Sequence, residues 1–576
     1  MRKFILFCLL FWSRLVSAQT LSTPFEKSGG KKTTTYFECI NFYRQLDRLS
    51  TKIEIKKMGM SDAGYAYDVV LFSNDKKFNP VEWHRQKKIV LLIINGIHPG
   101  EPDGIDATMM FLRDLNADKI RMPDNVAIAV IPIYNIGGAL NRNSFSRVNQ
   151  DGPESYGFRG NSQNLDLNRD FIKNDSKDAK SFVQLFQWLQ PDIQLDNHVS
   201  DGADFQHTIT LISTQWNKLG GETGKFQHEI FDPALFSGME KKQWPMCPYV
   251  NFEDRDIENG WTAFYDPPRY STGYASLFHT ISYMVETHML KPFSDRVRSD
   301  YALMQTLIEQ SSIHAIEIIE RRKRDFESDQ QQTKFALAWK PENDKYDSVL
   351  FRGYTASYKP SDITGQQRLY YDRQKPFVKM VKFYNYFSGE QWVDVPKAYL
   401  VPQGWSDVID RLKNNGVKVK QMPTDTMISV EAYHIDAYQS AADPFEKHHR
   451  NSQVKVSAST QLLQFLKGDY IVYTNQPSRR FIVEMLEPVG EDSYFSWNFF
   501  DAILQQKEDY SDYRWEDVAS EYLKSHPDVK NKLEEKKKSD TAFARNAAAQ
   551  LNFIYKNSPY YEPAHLRYPV YKMLNK

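Results

Sequence analysis

His98 and Glu101, in His98-Pro99-Gly100-Glu101, put an imidazole and a carboxylate within reach of one metal ion. They follow directly on the apolar run Lys88-Ile89-Val90-Leu91-Leu92-Ile93-Ile94, so both would emerge from the tip of a buried strand. Zinc takes His nitrogen and Glu oxygen at about 2.0–2.2 Å, and a hydrolytic site has three protein ligands with a fourth position for water. A third ligand is therefore required. His198, in Leu195-Asp196-Asn197-His198, follows a short apolar run that starts at Asp192, and it reaches the same sheet edge if that run is a neighbouring strand. His207 is the rival, but Thr208 to Ile212 after it reads as a new strand that His207 would enter from the opposite side. Placement of ligands at the carboxyl ends of strands favours His198.

The elements that must carry these residues alternate in character. Ile89 to Ile94 reads as a strand, Gly104 to Leu115 as a helix, Asn125 to Ile133 as a second strand, and Asp192 to Leu195 as a short one. Continuous apolar strands separated by helices predict an α/β fold with a mixed, largely parallel sheet flanked by helices. Tyr301 to Arg324 has helical spacing and ends in Glu320-Arg321-Arg322-Lys323-Arg324-Asp325, followed by the polar run Ser328-Asp329-Gln330-Gln331-Gln332. This composition places a boundary near 326–335, with a catalytic unit over 31–328 and an accessory region over 335–576. The accessory region carries strand-like runs at Lys397 to Val401, Gly416 to Gln421, Gly468 to Tyr473 and Phe481 to Leu486. An amphipathic helix near Gly404 to Asn415 and a helix-rich end from Tyr494 complete it, making the region β-rich with helical elaborations.

Residues 1–18 have the layout of a secretory signal peptide: Arg2-Lys3, the apolar run Phe4 to Trp12, then small residues at Val16-Ser17-Ala18 before Gln19. The expected mature protein begins near Gln19, has no spanning segment and is secreted or periplasmic. With Cys8 in that leader, Cys39 and Cys247 permit at most one bridge and rule out a site built from thiolates. The 576 residues exceed what one core usually organises. Balanced charge, 73 basic against 73 acidic side chains, argues against nucleic acid or an anionic membrane as the main partner. The tryptophans of the accessory region (Trp392, Trp405, Trp497, Trp515) suit core packing better than glycan binding.

Four elements in this order resemble the zinc carboxypeptidases of the His-x-x-Glu…His type, carboxypeptidase A-like, over roughly residues 35 to 325: His98-Pro99-Gly100-Glu101, Asp166-Leu167-Asn168-Arg169, His198, and Glu286 in Val285-Glu286-Thr287. The resemblance implies one zinc ion held by His98, Glu101 and His198, which lowers the pKa of a water and polarises the scissile carbonyl. It makes Glu286, at the end of the apolar run Ile281 to Val285, the general base. Asn168 and Arg169 match the pair that grips the substrate's terminal carboxylate, and Asp166 matches the carboxylate that accepts a hydrogen bond from the first ligand histidine. Arg159 is the candidate for the oxyanion, with Arg147 and Arg142 in the same loop as alternatives. Tyr270, in Pro267-Pro268-Arg269-Tyr270-Ser271-Thr272-Gly273-Tyr274, is the candidate for the tyrosine that closes over substrate, with Tyr265 and Tyr274 near equals.

The interval from Glu101 to His198 is shorter than expected in digestive carboxypeptidases and that from His198 to Glu286 somewhat longer, so their side-chain preference does not carry over. The expected activity is hydrolysis of the C-terminal peptide bond of peptides. A zinc-dependent amidase or deacylase acting on acyl-amino acids or cell-wall peptides is the first alternative. A non-catalytic binding module is the second, and its signature, a lost ligand or a lost base, is not found here.

Overall fold

The computed structural model describes residues 21–200, 202–250 and 257–574. The leader at 1–18 and the expected terminus at Gln19 lie outside the described residues. An eight-stranded sheet organises the first half of the chain. Its strands are β1 (Ile53–Met60), β2 (Ala66–Phe72), β3 (Ile89–Asn95), β4 (Val126–Ile131), β5 (Ile193–Ser200), β6 (Ile209–Ser213), β7 (Cys247–Pro248) and, after the short β8 (Trp261–Thr262) of another sheet, β9 (Ile281–His288). Their spatial order is β1-β2-β4-β3-β5-β9-β6-β7. The pairs β3 with β4, β3 with β5, β5 with β9 and β6 with β7 are parallel. The pairs β1 with β2, β2 with β4 and β6 with β9 are antiparallel, so the sheet is mixed and largely parallel as the sequence predicts.

The three central strands β3, β5 and β9 are buried along their whole length, so β3 reads as an unbroken apolar run rather than an alternating one, whereas β5 buries Gln194, Asp196, Asn197 and His198 among its apolar residues. One face packs on the helices Asp103–Asn116 and Phe293–Ile313, through residues such as Ile93, Leu112, Val285 and Leu307. Contact there is close: a Cβ at Gly104 would stand 2.3 Å from the Asn197 Cβ, so glycine lets the helix lie directly against β5.

The opposite face is covered in part by the second half of the chain. Leu92, Ile94, Phe171 and Phe182 form one apolar core with Phe335, Tyr399, Val472, Phe481 and Trp497. The helix Ala315–Asp329 runs three residues past the start of the expected boundary, and the strand Lys334–Pro341 begins after a short turn. A six-stranded sheet, including Ala398–Val401, Tyr470–Tyr473 and the hairpin Thr426–Ser440 with Asn451–Phe465, makes the second half β-rich. The helices Asp512–Ser525, Pro527–Ser539 and Ala547–Lys556 follow, with Trp515 in their own small core.

Two expected strands are corrected. Arg479–Leu486 is a helix, buried on every face, with Arg480 bonded to Glu484 one turn on at 3.0 Å. A short apolar run buried all round has no period to tell helix from strand. Of Gly416 to Gln421 only Lys420–Gln421 is strand. Cys39 and Cys247 are both buried and unbridged. No helix among the described residues is long and apolar enough to cross a membrane.

Candidate active site

β4 lies on one side of β3 and β5 on the other, so the chain order reverses at β3. A crevice opens at such a point, outside the carboxyl ends of the strands. His98 and Glu101 sit in the loop that leaves β3, and His198 is on β5. Glu286 on β9 is the register partner of His198, and Asp196, two residues before His198, shares its face of the strand.

His98, Glu101 and His198 form the one group of three or more such side chains among the described residues that could hold a metal ion; His207 is not in it. The Nδ1 atoms of His98 and His198 are 3.1 Å apart, and Glu101 Oε2 lies 3.3 Å from the first and 3.0 Å from the second. Bonds of about 2.0–2.1 Å at tetrahedral angles set ligand atoms about 3.3 Å apart, so this triangle fits a single ion. Both rings are turned for it. His98 Nε2 hydrogen-bonds Asp166 Oδ1 at 2.9 Å, and His198 Nε2 lies 2.9 Å from Asp196 Oδ2. Asp166 thus bonds the first ring, and Asp196 stands behind the second at ion-pair distance without an aligned hydrogen bond; a proton on each Nε2 would leave the Nδ1 lone pair facing the centre.

Glu101 is oriented as firmly. Its Oε2 accepts from the Val199 amide at 3.1 Å, and its Oε1 accepts from Arg147 Nη1 at 2.7 Å. Burial pushes the Glu101 carboxyl upward, but Arg147 and the two histidines outweigh it and hold the group well below the usual carboxylate range. Gly100 makes room for this contact, since a Cβ there would stand 2.8 Å from Arg147 Cδ. Glu286 is different. Its carboxyl is buried without a hydrogen bond to any described residue, and burial, with Glu101 adding and His198 opposing, pushes it up to about 8.

The three loop arginines separate by their partners. Arg142 donates to the carbonyls of Thr34 and Ser155, at 3.0 and 2.8 Å. Arg147 divides itself between Glu101 and the Val199 carbonyl and is 14% exposed. Arg159 is tied at one edge to Asp166 Oδ2, 2.9 Å from Nη2, and remains 46% exposed at the mouth of the crevice, with Nη1 3.5 Å from Glu101. Arg169 lies with its guanidinium 4.3 Å from the centroid of the Tyr270 ring, and Asn168 Oδ1 accepts from the Ser271 amide at 3.1 Å. Tyr274 is fully buried and donates to Asn415 at 2.8 Å, and Tyr265 stacks on Phe387, so of the three tyrosines Tyr270 is the one beside Arg169. His207 bridges the Pro245 carbonyl, 2.9 Å from Nδ1, and the Arg352 amide, 3.1 Å from Nε2, in a structural role.

Asp166 serves several neighbours at once. It bonds His98 and Arg159, caps the turn Leu167–Arg169 through the Asn168 amide at 2.9 Å, and is held below the carboxylate range by His98 and the arginines against the upward push of burial. The residue that sequence reasoning missed is Asp196, which touches His198 and accepts a hydrogen bond from the Ser271 hydroxyl. Its signal was the spacing of two from His198 on a strand, which puts both on one face. Ser271 in turn links Asp196 to Asn168, so a buried polar chain connects the second histidine to the Asn168-Arg169 pair.

No protein-family model matches the chain. Its sequence is 21% identical over 487 residues to the carboxypeptidase 2 of Trichophyton equinum, with 79% of this chain and 82% of the relative covered. The carboxypeptidase 2 of Trichophyton rubrum matches at 21% over 486 residues with the same coverage. Among solved structures, a metallo-carboxypeptidase from Burkholderia cenocepacia overlaps with a TM-score of 0.35 and 13% identity, covering 50% of this chain and 69% of that one. The carboxypeptidase A of Helicoverpa armigera overlaps with a TM-score of 0.36 and 13% identity, covering 51% and 74%.

Proposed function

We propose that this chain, a peptide-bond hydrolase of the zinc carboxypeptidase family, is an exported enzyme that removes the C-terminal residue of peptides with one zinc ion held by His98, Glu101 and His198. The observation that carries this reading is the 3.0–3.3 Å triangle of ligand atoms with Glu286 in register beside it. Zinc, when bound there, supplies Lewis acidity toward the scissile carbonyl and lowers the pKa of water.

The protein's own groups do the rest. Asp166 and Asp196 hold the ring protons of the two histidines. Glu286, without a hydrogen-bond partner among the described residues, accepts the proton of the attacking water and delivers it to the leaving amine nitrogen. Arg159 keeps its guanidinium toward the crevice and donates to the oxygen that becomes negative in the tetrahedral stage. Asn168 and Arg169 take the terminal carboxylate, which a planar guanidinium suits, and Tyr270 covers the bound residue from the same side. The leader layout at 1–18 supports export.

The test is product analysis on a mixed peptide panel. Release of single C-terminal amino acids, abolished by a chelator and restored by zinc, is the expected result. Activity confined to acylated amino acids would replace this reading with that of a deacylase.

A further inference from the structure

The second half of the chain touches the active-site loop at Asp166. The strands Thr426–Ser440 and Asn451–Phe465 lead to a loop whose tip is Phe445-Glu446-Lys447-His448. Phe445 and His448 exchange both backbone hydrogen bonds, at 2.8 and 3.1 Å, which makes Glu446-Lys447 a two-residue turn. Both have positive φ, 49° and 75°. Such a turn ordinarily takes Asn-Gly or Asp-Gly, because other side chains are strained there. Glu and Lys occupy it here, at a conformational cost the surroundings must offset.

The surroundings do so through side-chain contacts across the two halves of the chain. Glu446 Oε2 accepts a hydrogen bond from the Asp166 amide at 2.8 Å, and the Glu446 carbonyl accepts from Lys173 Nζ at 3.2 Å. His448, buried, has Nε2 2.7 Å from Asp175 Oδ2 and Nδ1 2.6 Å from Asn498 Oδ1, and Arg411 reaches the other oxygen of Asp175 at 3.1 Å. The turn is therefore pinned on the residue whose carboxylate bonds His98 and Arg159 and caps the Asn168-Arg169 turn.

We propose that Glu446 is a positioning residue of the active site: by holding the Asp166 backbone it sets the carboxylate that orients His98 and the Asn168-Arg169 pair. This rests on the peptidase reading given above. The second half of the chain is on this account part of the active centre, because a residue 280 positions beyond Asp166 completes its support.

The experiment compares Glu446→Ala with Glu446→Gln in the full-length protein. Gln keeps an oxygen that can accept from the Asp166 amide, whereas Ala does not. Two quantities are measured: retention of zinc against a competing chelator, and kcat and KM on a peptide with a free C-terminal carboxylate. The expected result is that Glu446→Ala gives up zinc about tenfold more readily and loses about tenfold in kcat/KM, with Glu446→Gln restoring most of both. Equal zinc retention in Glu446→Ala and the parent would overturn the proposal, as would a Glu446→Gln variant as impaired as Glu446→Ala. If Glu446→Ala fails to fold, Glu446→Gln against the parent still decides: a tenfold loss in Gln refutes the acceptor role, and near-parent values with an unfolded Ala variant reduce Glu446 to a support of the fold. A parent chain that binds zinc but releases no amino acid would refute the peptidase reading, while the zinc comparison would still decide the role of Glu446.

Discussion

His198 on β5 and Glu286 on β9 are register partners, so their side chains leave the sheet side by side on one face. Two residues 88 positions apart are thereby fixed by backbone hydrogen bonds of a buried parallel pair rather than by a loop. On the proposed reading, a metal ligand and a proton acceptor placed in this way would have their separation set by the sheet itself.

Glu286→Gln follows from that pairing. The amide keeps the shape of the side chain and cannot accept the proton of water, so turnover should fall by about a thousandfold or more, while zinc stoichiometry stays at one per chain. Metal analysis alongside steady-state kinetics checks this. Turnover within tenfold of the parent would remove Glu286 as the base.

Asp196 backs His198 as Asp166 backs His98, and both carboxylates are placed 2.9 Å from an Nε2 atom. Asp196→Asn and Asp166→Asn should each weaken zinc binding by about 10- to 100-fold. Asp196→Asn should also raise KM, because Ser271 relays Asp196 to Asn168. Competition with a chromogenic chelator measures the first effect and initial rates the second. An Asp196→Asn variant with the parent's zinc affinity would show that His198 needs no such partner.

What could be read in the sequence followed a physical boundary. His98, Glu101 and Glu286 stand out because each ends or follows a run of buried apolar strand residues, where a polar residue is conspicuous, and His198 because it closes the short stretch that starts at Asp192. Asp196 was legible in principle from its spacing, but a carboxylate inside a wholly buried strand looks like part of the run's end until its partner is known. Arg159 could be separated from Arg142 and Arg147 only by what each touches, and Tyr270 from Tyr274 only by burial. Glu446 was out of reach altogether: nothing local links a hairpin turn to a backbone amide 280 residues earlier. The strand expected at Phe481 to Leu486 failed for the complementary reason, that a segment buried on all sides loses the polar side from which a period is read.

The shared core makes a prediction about the second half of the chain. Phe481, Ile482, Val483, Trp497 and Phe500 pack with Phe171, Phe182 and Phe186 in one cluster. Removing residues 335–576 would strip these side chains away, at about 1.5–3 kcal/mol for each large apolar group exposed, against a usual total stability of about 5–15 kcal/mol. The truncated chain should therefore fail to fold cooperatively, as seen by loss of a sharp thermal transition and susceptibility to protease. A soluble fragment ending at 334 with a cooperative transition and bound zinc would refute the dependence.

Asp106 carries a pH dependence of stability that is separate from the active site. It is fully buried on the helix Asp103–Asn116, where it accepts hydrogen bonds from the Thr33 hydroxyl and, at 3.2 Å, from the Thr34 amide. Burial pushes its carboxyl up to about 7, against an ordinary value near 3.8. A carboxyl raised in the folded state contributes stability that is fully present below the unfolded value and is lost as pH rises through the folded one. For Asp106 the loss runs from about pH 4 to about pH 7, at up to about 1.4 kcal/mol per pH unit. Asp106→Asn has no charge to bury, and its amide can keep both contacts, with Oδ1 accepting from the Thr34 amide and Nδ2 donating to the Thr33 hydroxyl, which accepts as well as donates. The stability of the variant should therefore not fall between pH 5 and pH 8 on account of this position. The parent should lose stability relative to the variant over that range, because it must then bury an ionised carboxylate. Denaturant unfolding of both proteins at the two pH values measures the change in the difference, in which zinc release and the other buried carboxyls cancel. A difference that is the same at pH 5 and pH 8 would show that Asp106 titrates alike in the folded and unfolded chains.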